Sequence, residues 1–212
     1  MKLTVARTTG LLYLGLALSG MFAFLFARDK LLIDGDAVVT AANLVADEGL
    51  ARLGIAAEVA LVGFQALVAV WFYKLFRSKD SFGAGLIAVF GMVNAVAILI
   101  ASAMWLSALN VATSGGQADT VYTLFSLHEN IWVVASLFFG LWLLPMAYMA
   151  KLAKMPSPLV WFLIAGGIGY MLSTFTAILL PNQTALTEAL PLAATVGEFW
   201  IIGYLLFKQV KA

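Results

Sequence analysis

The chain has no cysteine and a single histidine, and only 11% of its 212 residues are charged. Without cysteine there can be no disulfide, thiol nucleophile, iron–sulfur cluster or thiolate zinc site. One histidine rules out a three-histidine zinc centre or a bis-histidine haem within one chain. Charge is well below the roughly 25% usual for globular domains. The net charge is +1 with no basic stripe, so nucleic acid is not an expected partner. No lysine falls deep in an apolar run, which removes a retinal-type Schiff base, and there is no glycine-rich phosphate loop. No Ser-His-Asp arrangement is legible either. On these grounds no cofactor and no resident metal are expected.

Apolar residues are abundant, at 63% of the chain. They form six runs, at about 8–27, 53–76, 82–106, 120–150, 159–180 and 189–207. Each is near or above the ~20 residues that cross a ~30 Å hydrocarbon core. The expected fold is all-α: a polytopic membrane protein in one domain, a six-helix transmembrane bundle. The first run follows a basic start, as a signal peptide would. Its apolar stretch is too long for a signal core, and Leu25 stands where a cleavage site needs a small residue, so a retained helix is expected. Pro156 and Pro158 punctuate the turn before the fifth run, and Pro181 closes it.

Nine of the twelve lysines and arginines (Lys2, Arg7, Lys74, Arg77, Lys79, Lys151, Lys154, Lys208 and Lys211) fall at the two termini and the second and fourth connections. Arg28, Lys30 and Arg52 alone flank the other side. This asymmetry predicts both termini in the cytoplasm, and the inner membrane of a bacterium as the location. The first connection, "DKLLIDGDAVVTAANLVADEGLAR", holds a turn signal at Asp34-Gly35 and an N-cap candidate at Asp36. A short outer-surface helix is expected there, a lid with Val38, Ala41, Ala42 and Val45 on one side, ending near Gly49. A calcium loop is disfavoured because its later ligands are missing. Glu48 and Arg52, four apart, are expected to pair.

Ionisable groups in apolar runs are costly, at least ~2.5–3.5 kcal/mol each at mid-bilayer on insertion scales, so they carry the functional signal. Glu58 shares a helical face with Val62, Gln65 and Ala69. His128, Glu129 and Asn130 head the fourth run, Asn94 lies near the centre of the third, and Glu198 lies near the middle of the sixth. Tyr170, Ser173 and Thr174 fall in the outer part of the fifth. Together these predict an outward-facing polar pocket with Glu58, His128, Asn130, Tyr170, Thr174 and Glu198 as ligand-binding residues. Its floor would be near Glu198 and its roof the surface helix. A bland account stands beside each: His128 bonded to a carbonyl, Glu129 in solvent, and the buried carboxyls or Asn94 serving as helix–helix glue. A single metal held by His128 with two of Glu58, Glu129 and Glu198 is a further alternative.

Four strings, "GLLYLGLALSG", "GDAVVTAANLVADEGLARLGIAAE", "LHENIWVVASLFFGLWLLPMAYMAKLAKMPSPLVWFLIAGGIGYM" and "VGEFWIIGYLLFK", resemble the bacterial domain-of-unknown-function family 4386 across nearly the whole chain. The resemblance implies a small multi-spanning membrane protein. Its landmarks fall on Glu48, Arg52, His128, Gly140, Gly169, Tyr170 and Glu198. His128-Glu129 departs from the glycine-containing stretch of the family at that place. The family brings no reaction with it.

Three functions fit these residues. The first is binding or sensing of a small molecule or lipid, with a carrier role as an extension. The second is a membrane-embedded, hydrolase-like enzyme using the Glu/His cluster for acid–base chemistry. The third is a structural partner of another membrane protein. The partners expected are the bilayer, a small-molecule or lipid ligand, and further copies of the chain. An inverted-repeat transporter gains little support, since no internal repeat is legible.

Overall fold

The computed structural model describes residues 4–208 and 210; Lys2 and Lys211, two of the cations in the charge asymmetry, lie outside the described residues. Among the described residues all regular structure is helical. In chain order the helices are α1 Val5–Leu31, α2 Ala37–Ala46, α3 Glu48–Phe76, α4 Ser81–Thr113, α5 Ala118–Leu152, α6 Ser157–Leu179, α7 Thr184–Ala189 and α8 Leu192–Phe207. Six stretches (α1, α3, α4, α5, α6 and the α7–α8 pair) are long and apolar enough to cross a membrane. Large apolar side chains stand exposed along them, such as Leu25, Leu53, Val134 and Trp161. In water such a surface would aggregate; against lipid it is solvated. The chain is a multi-pass membrane protein.

Helix boundaries overrun the apolar runs where polar residues continue a helix. α3 starts at Glu48 rather than Leu53, so Gly49 lies inside α3 and does not end the surface helix. α4 continues to Thr113 and α5 begins at Ala118. The last run is divided: α7 ends at Ala189 and α8 begins at Leu192, with Pro191 at the N-cap position. Proline lacks the N–H that a continuous helix would use there. In α1 the stretch Phe22–Arg28 is a π-helix.

The helices pack as two units. The first comprises the described residues of Met1–Leu14, Phe64–Ala95 and Val133–Ala212. At its centre Tyr13, Phe72 and Trp142 meet edge to face, with ring centroids 5.6–5.9 Å apart, a favoured arrangement for quadrupolar rings. Glycine sets the helix spacing here. A Cβ on Gly140 of α5 would lie 2.5 Å from the Gly167 carbonyl oxygen of α6, and one on Gly169 would overlap the Leu190 carbonyl oxygen at the α7–α8 elbow. These are backbone-to-backbone contacts, which membrane helices use in place of hydrophobic driving force.

The second unit comprises Gly15–Gly63 and Val96–Trp132. Its core gathers Ala27, Leu31, Leu44, Ala51, Trp105, Leu109, Val121 and Phe125. α2 is tied down at its start: Asp36 accepts a hydrogen bond from the Val39 N–H at 2.9 Å, and the Tyr122 hydroxyl accepts from the Gly35 N–H at 2.8 Å. The expected apolar stripe of α2 is corrected by the structure. Val38 and Val45 are exposed, 70% and 51%, while Thr40 and Leu44 are buried. The cause is Thr40, whose hydroxyl accepts from the Ile33 N–H and donates to the Ile33 carbonyl, turning that face inward.

Candidate functional site

The lowest-exposure ionisable side chains are Glu58 and His128, both 0% exposed, and both belong to the second unit. α3 carries Glu58 inward; α5 carries His128. His128 Nε2 and Glu58 Oε1 are 2.7 Å apart. Trp132, one turn beyond His128 on the same face of α5, donates its indole N–H to the same oxygen at 2.7 Å. Glu58 Oε2 and His128 Nδ1 are buried and have no protein partner. The network is therefore half satisfied: Glu58 Oε1 has two nitrogen partners and Oε2 has none in the protein.

Aromatic rings wall this pair. Trp105 and Phe125 stack on each other at 5.4 Å, and each lies within 5.7 Å of the His128 ring. Phe24, from the π-helical stretch of α1, meets Trp132 edge-on at 4.1 Å. The Arg28 guanidinium sits 4.6 Å over Phe24 and 3.4 Å from the Glu129 carboxylate. A π-turn widens the helix by one residue and re-aims the side chains beyond it, a feature frequent at functional sites. From Arg28 to His128 there is thus a continuous run of contacting side chains: Arg28, Phe24, Trp132, Glu58, His128.

The other named residues fall elsewhere. Asn130 is exposed, because two positions along a helix turn a side chain about 200° away from His128. Glu129 stays near the surface on Arg28. Glu48 and Arg52 meet at 2.6 Å, exposed at the start of α3. Glu198 belongs to the first unit, where it accepts a hydrogen bond from the Tyr13 hydroxyl at 2.5 Å. Tyr170 in the same unit stacks on Phe139 at 5.5 Å, Thr174 donates back to the Tyr170 carbonyl, and Ser173 donates to the Thr187 carbonyl. Gln65 and Asn94 are buried, with Gln65 Nε2 and Asn94 Oδ1 unpartnered. Among the described residues no three histidine, aspartate or glutamate side chains gather as a ligand set for a metal.

Trp132 and Tyr13, which bond Glu58 and Glu198, are the neighbours that the residue pattern passed over. Trp132 was legible as the (i, i+4) partner of His128. Tyr13 was legible only as a polar tip inside an apolar run. The π-stretch carries no local marker.

The model of the family described as a domain of unknown function (DUF4386) matches residues 8–208. The chain belongs to the DUF4386 family. The match takes in both buried acidic sites, Glu58–His128 and Tyr13–Glu198, and both packing units. No curated protein and no solved structure matches the chain.

Proposed function

We propose that this DUF4386 protein binds or senses a small molecule or lipid at the Glu58–His128–Trp132 cluster. The observation that carries the reading is the half-satisfied network. Helix–helix glue needs each buried polar atom paired, because an unpaired one in a low-dielectric interior costs about 1–3 kcal/mol. Here Glu58 Oε2 and His128 Nδ1 both face no protein partner. A ligand with hydroxyl or amine groups would pair with both Glu58 Oε2 and His128 Nδ1, and the rings of Trp105, Phe125 and Trp132 suit an apolar body beside it. A carrier role would be an extension of the same binding.

The charge asymmetry supports an inner-membrane protein of a bacterium with both termini cytoplasmic. In that orientation the cluster serves the outer side. A second reading, acid–base catalysis, draws on the 2.7 Å contact between Nε2 and Oε1, a distance at which a proton is readily shared. Tyr170, Thr174 and Glu198, which belong to the first unit, are proposed as a separate polar set and not as part of this cluster; Asn130 lies on an exposed face.

Native mass spectrometry in mild detergent tests the binding reading, with the Glu58→Gln/His128→Ala variant alongside. An adduct on the parent chain that the variant loses is the expected result. The same bare mass for both, purified directly from native membranes, would overturn it.

A further inference from the structure

α5 ends at Leu152, and the chain turns through Lys154, the one non-glycine residue with positive φ among those described, at 55°. The Met155 N–H bonds the Ala150 carbonyl at 3.0 Å across this turn, the six-residue closure that ordinarily places glycine at the left-handed position. A lysine there is strained, and local stability does not explain its presence. Its surroundings do. Lys151, Lys154, Ser157, Val160 and Trp161 line a cavity of about 440 Å³. A second groove of about 440 Å³ shares Ser157 and Trp161, and continues over Pro158, Phe162 and Ala193 with an apolar lining.

The two hollows adjoin along Ser157 and Trp161, the first carrying both lysines and the second apolar in its lining. Among the described residues no carboxylate lies within 4.0 Å of Lys151 or Lys154. Trp161 is 68% exposed at the same level, where an indole ring marks a membrane–water border. Two unpaired ammonium groups over an apolar trough complement a phosphate joined to acyl chains. We infer that these adjoining hollows are a binding site for an anionic phospholipid, its headgroup phosphate on Lys151, Lys154 and Ser157, with one chain along Ile164 and the other along Phe162, on either side of Trp161. The site belongs to the first unit, Glu58 and His128 to the second, and it does not depend on their role.

Lys154→Gly makes a clean probe, since glycine relaxes the strained backbone while removing the charge. Native mass spectrometry of the full chain would titrate phosphatidylglycerol, with phosphatidylcholine and glycerol phosphate as comparisons. Phosphatidylglycerol is expected to bind most tightly. Lys154→Gly should weaken it about fivefold, and Lys151→Ala/Lys154→Gly about 25-fold, at about fivefold per lysine. Lys154→Gly should retain or raise the melting temperature, which separates lost charge from lost fold. Unchanged phosphatidylglycerol affinity in the double variant would overturn the site. So would equal binding of phosphatidylcholine, or glycerol phosphate binding as tightly as the whole lipid.

Discussion

Replacing Glu58 by leucine strips the partner from two nitrogens at once, the buried His128 Nε2 and the half-buried Trp132 Nε1, each 2.7 Å from the lost oxygen. Replacing His128 by leucine leaves Glu58 still bonded to Trp132, so it should cost less. Making both changes removes His128 as an orphan, and the double variant should be less destabilised than the sum of the singles. Hydrogen bonds to charged groups contribute about 1.5–3 kcal/mol in water-soluble proteins. Interhelical cycles inside membranes average about 0.6 and reach about 1.7 kcal/mol. For a pair with 0% exposure on both sides, the coupling expected is about 1.5 kcal/mol, near the upper end. The assay is unfolding by added dodecyl sulfate in mixed micelles, followed by tryptophan fluorescence, across the four proteins of the cycle. Coupling below about 0.3 kcal/mol would refute the view that the two side chains are energetically joined. A Glu58→Leu variant as stable as the parent would do the same.

Gly169→Ala forces a methyl into the Leu190 carbonyl, and should cost about 1–3 kcal/mol in the same unfolding assay. Gly203→Ala, with nothing within 4 Å of the added atom, should be neutral or stabilising by up to about 1 kcal/mol; equal losses at both positions would show that close approach is not the reason for Gly169. Asp36→Ala removes the cap on α2 and should speed amide exchange at its first turn, for a local loss of about 1 kcal/mol. Because the chain has no cysteine, single-cysteine variants report topology without background. A membrane-impermeant maleimide should label Ser114→Cys in intact cells and Ser78→Cys only after permeabilisation, and the reverse pattern would invert the proposed orientation.

Six apolar runs sufficed to read six spans, because the bilayer demands length and apolarity and little else. The edges were less legible. Glu48 and Arg52 extend α3 by their own (i, i+4) pairing, which hydropathy does not register. The division of the last span turns on Pro191 and on the closeness of Gly169 to Leu190, a tertiary matter. In the candidate site, Glu58 and His128 stood out because ionisable groups in hydrocarbon are expensive. Their meeting did not, since no periodicity along one helix says what faces it from another. Asn130 parts from His128 for a local reason that helix geometry does supply: it is two residues away, on a different and exposed face. In α2 the pattern of valines pointed the wrong way, because a single threonine bonding to Ile33 outweighed an apolar stripe that lipid or solvent could accommodate.

The single histidine makes occupancy of the cluster measurable at one atom. With ¹⁵N-histidine as the sole label, Nε2 and Nδ1 of His128 give one resonance each, and Glu58→Gln should shift Nε2. Two samples are compared, one carried through in native lipid and one then exhaustively delipidated. Nδ1 is expected to move as its ligand leaves, while Nε2 keeps its bond to Glu58. Nδ1 resonances that coincide in the two samples would contradict a ligand at this cluster.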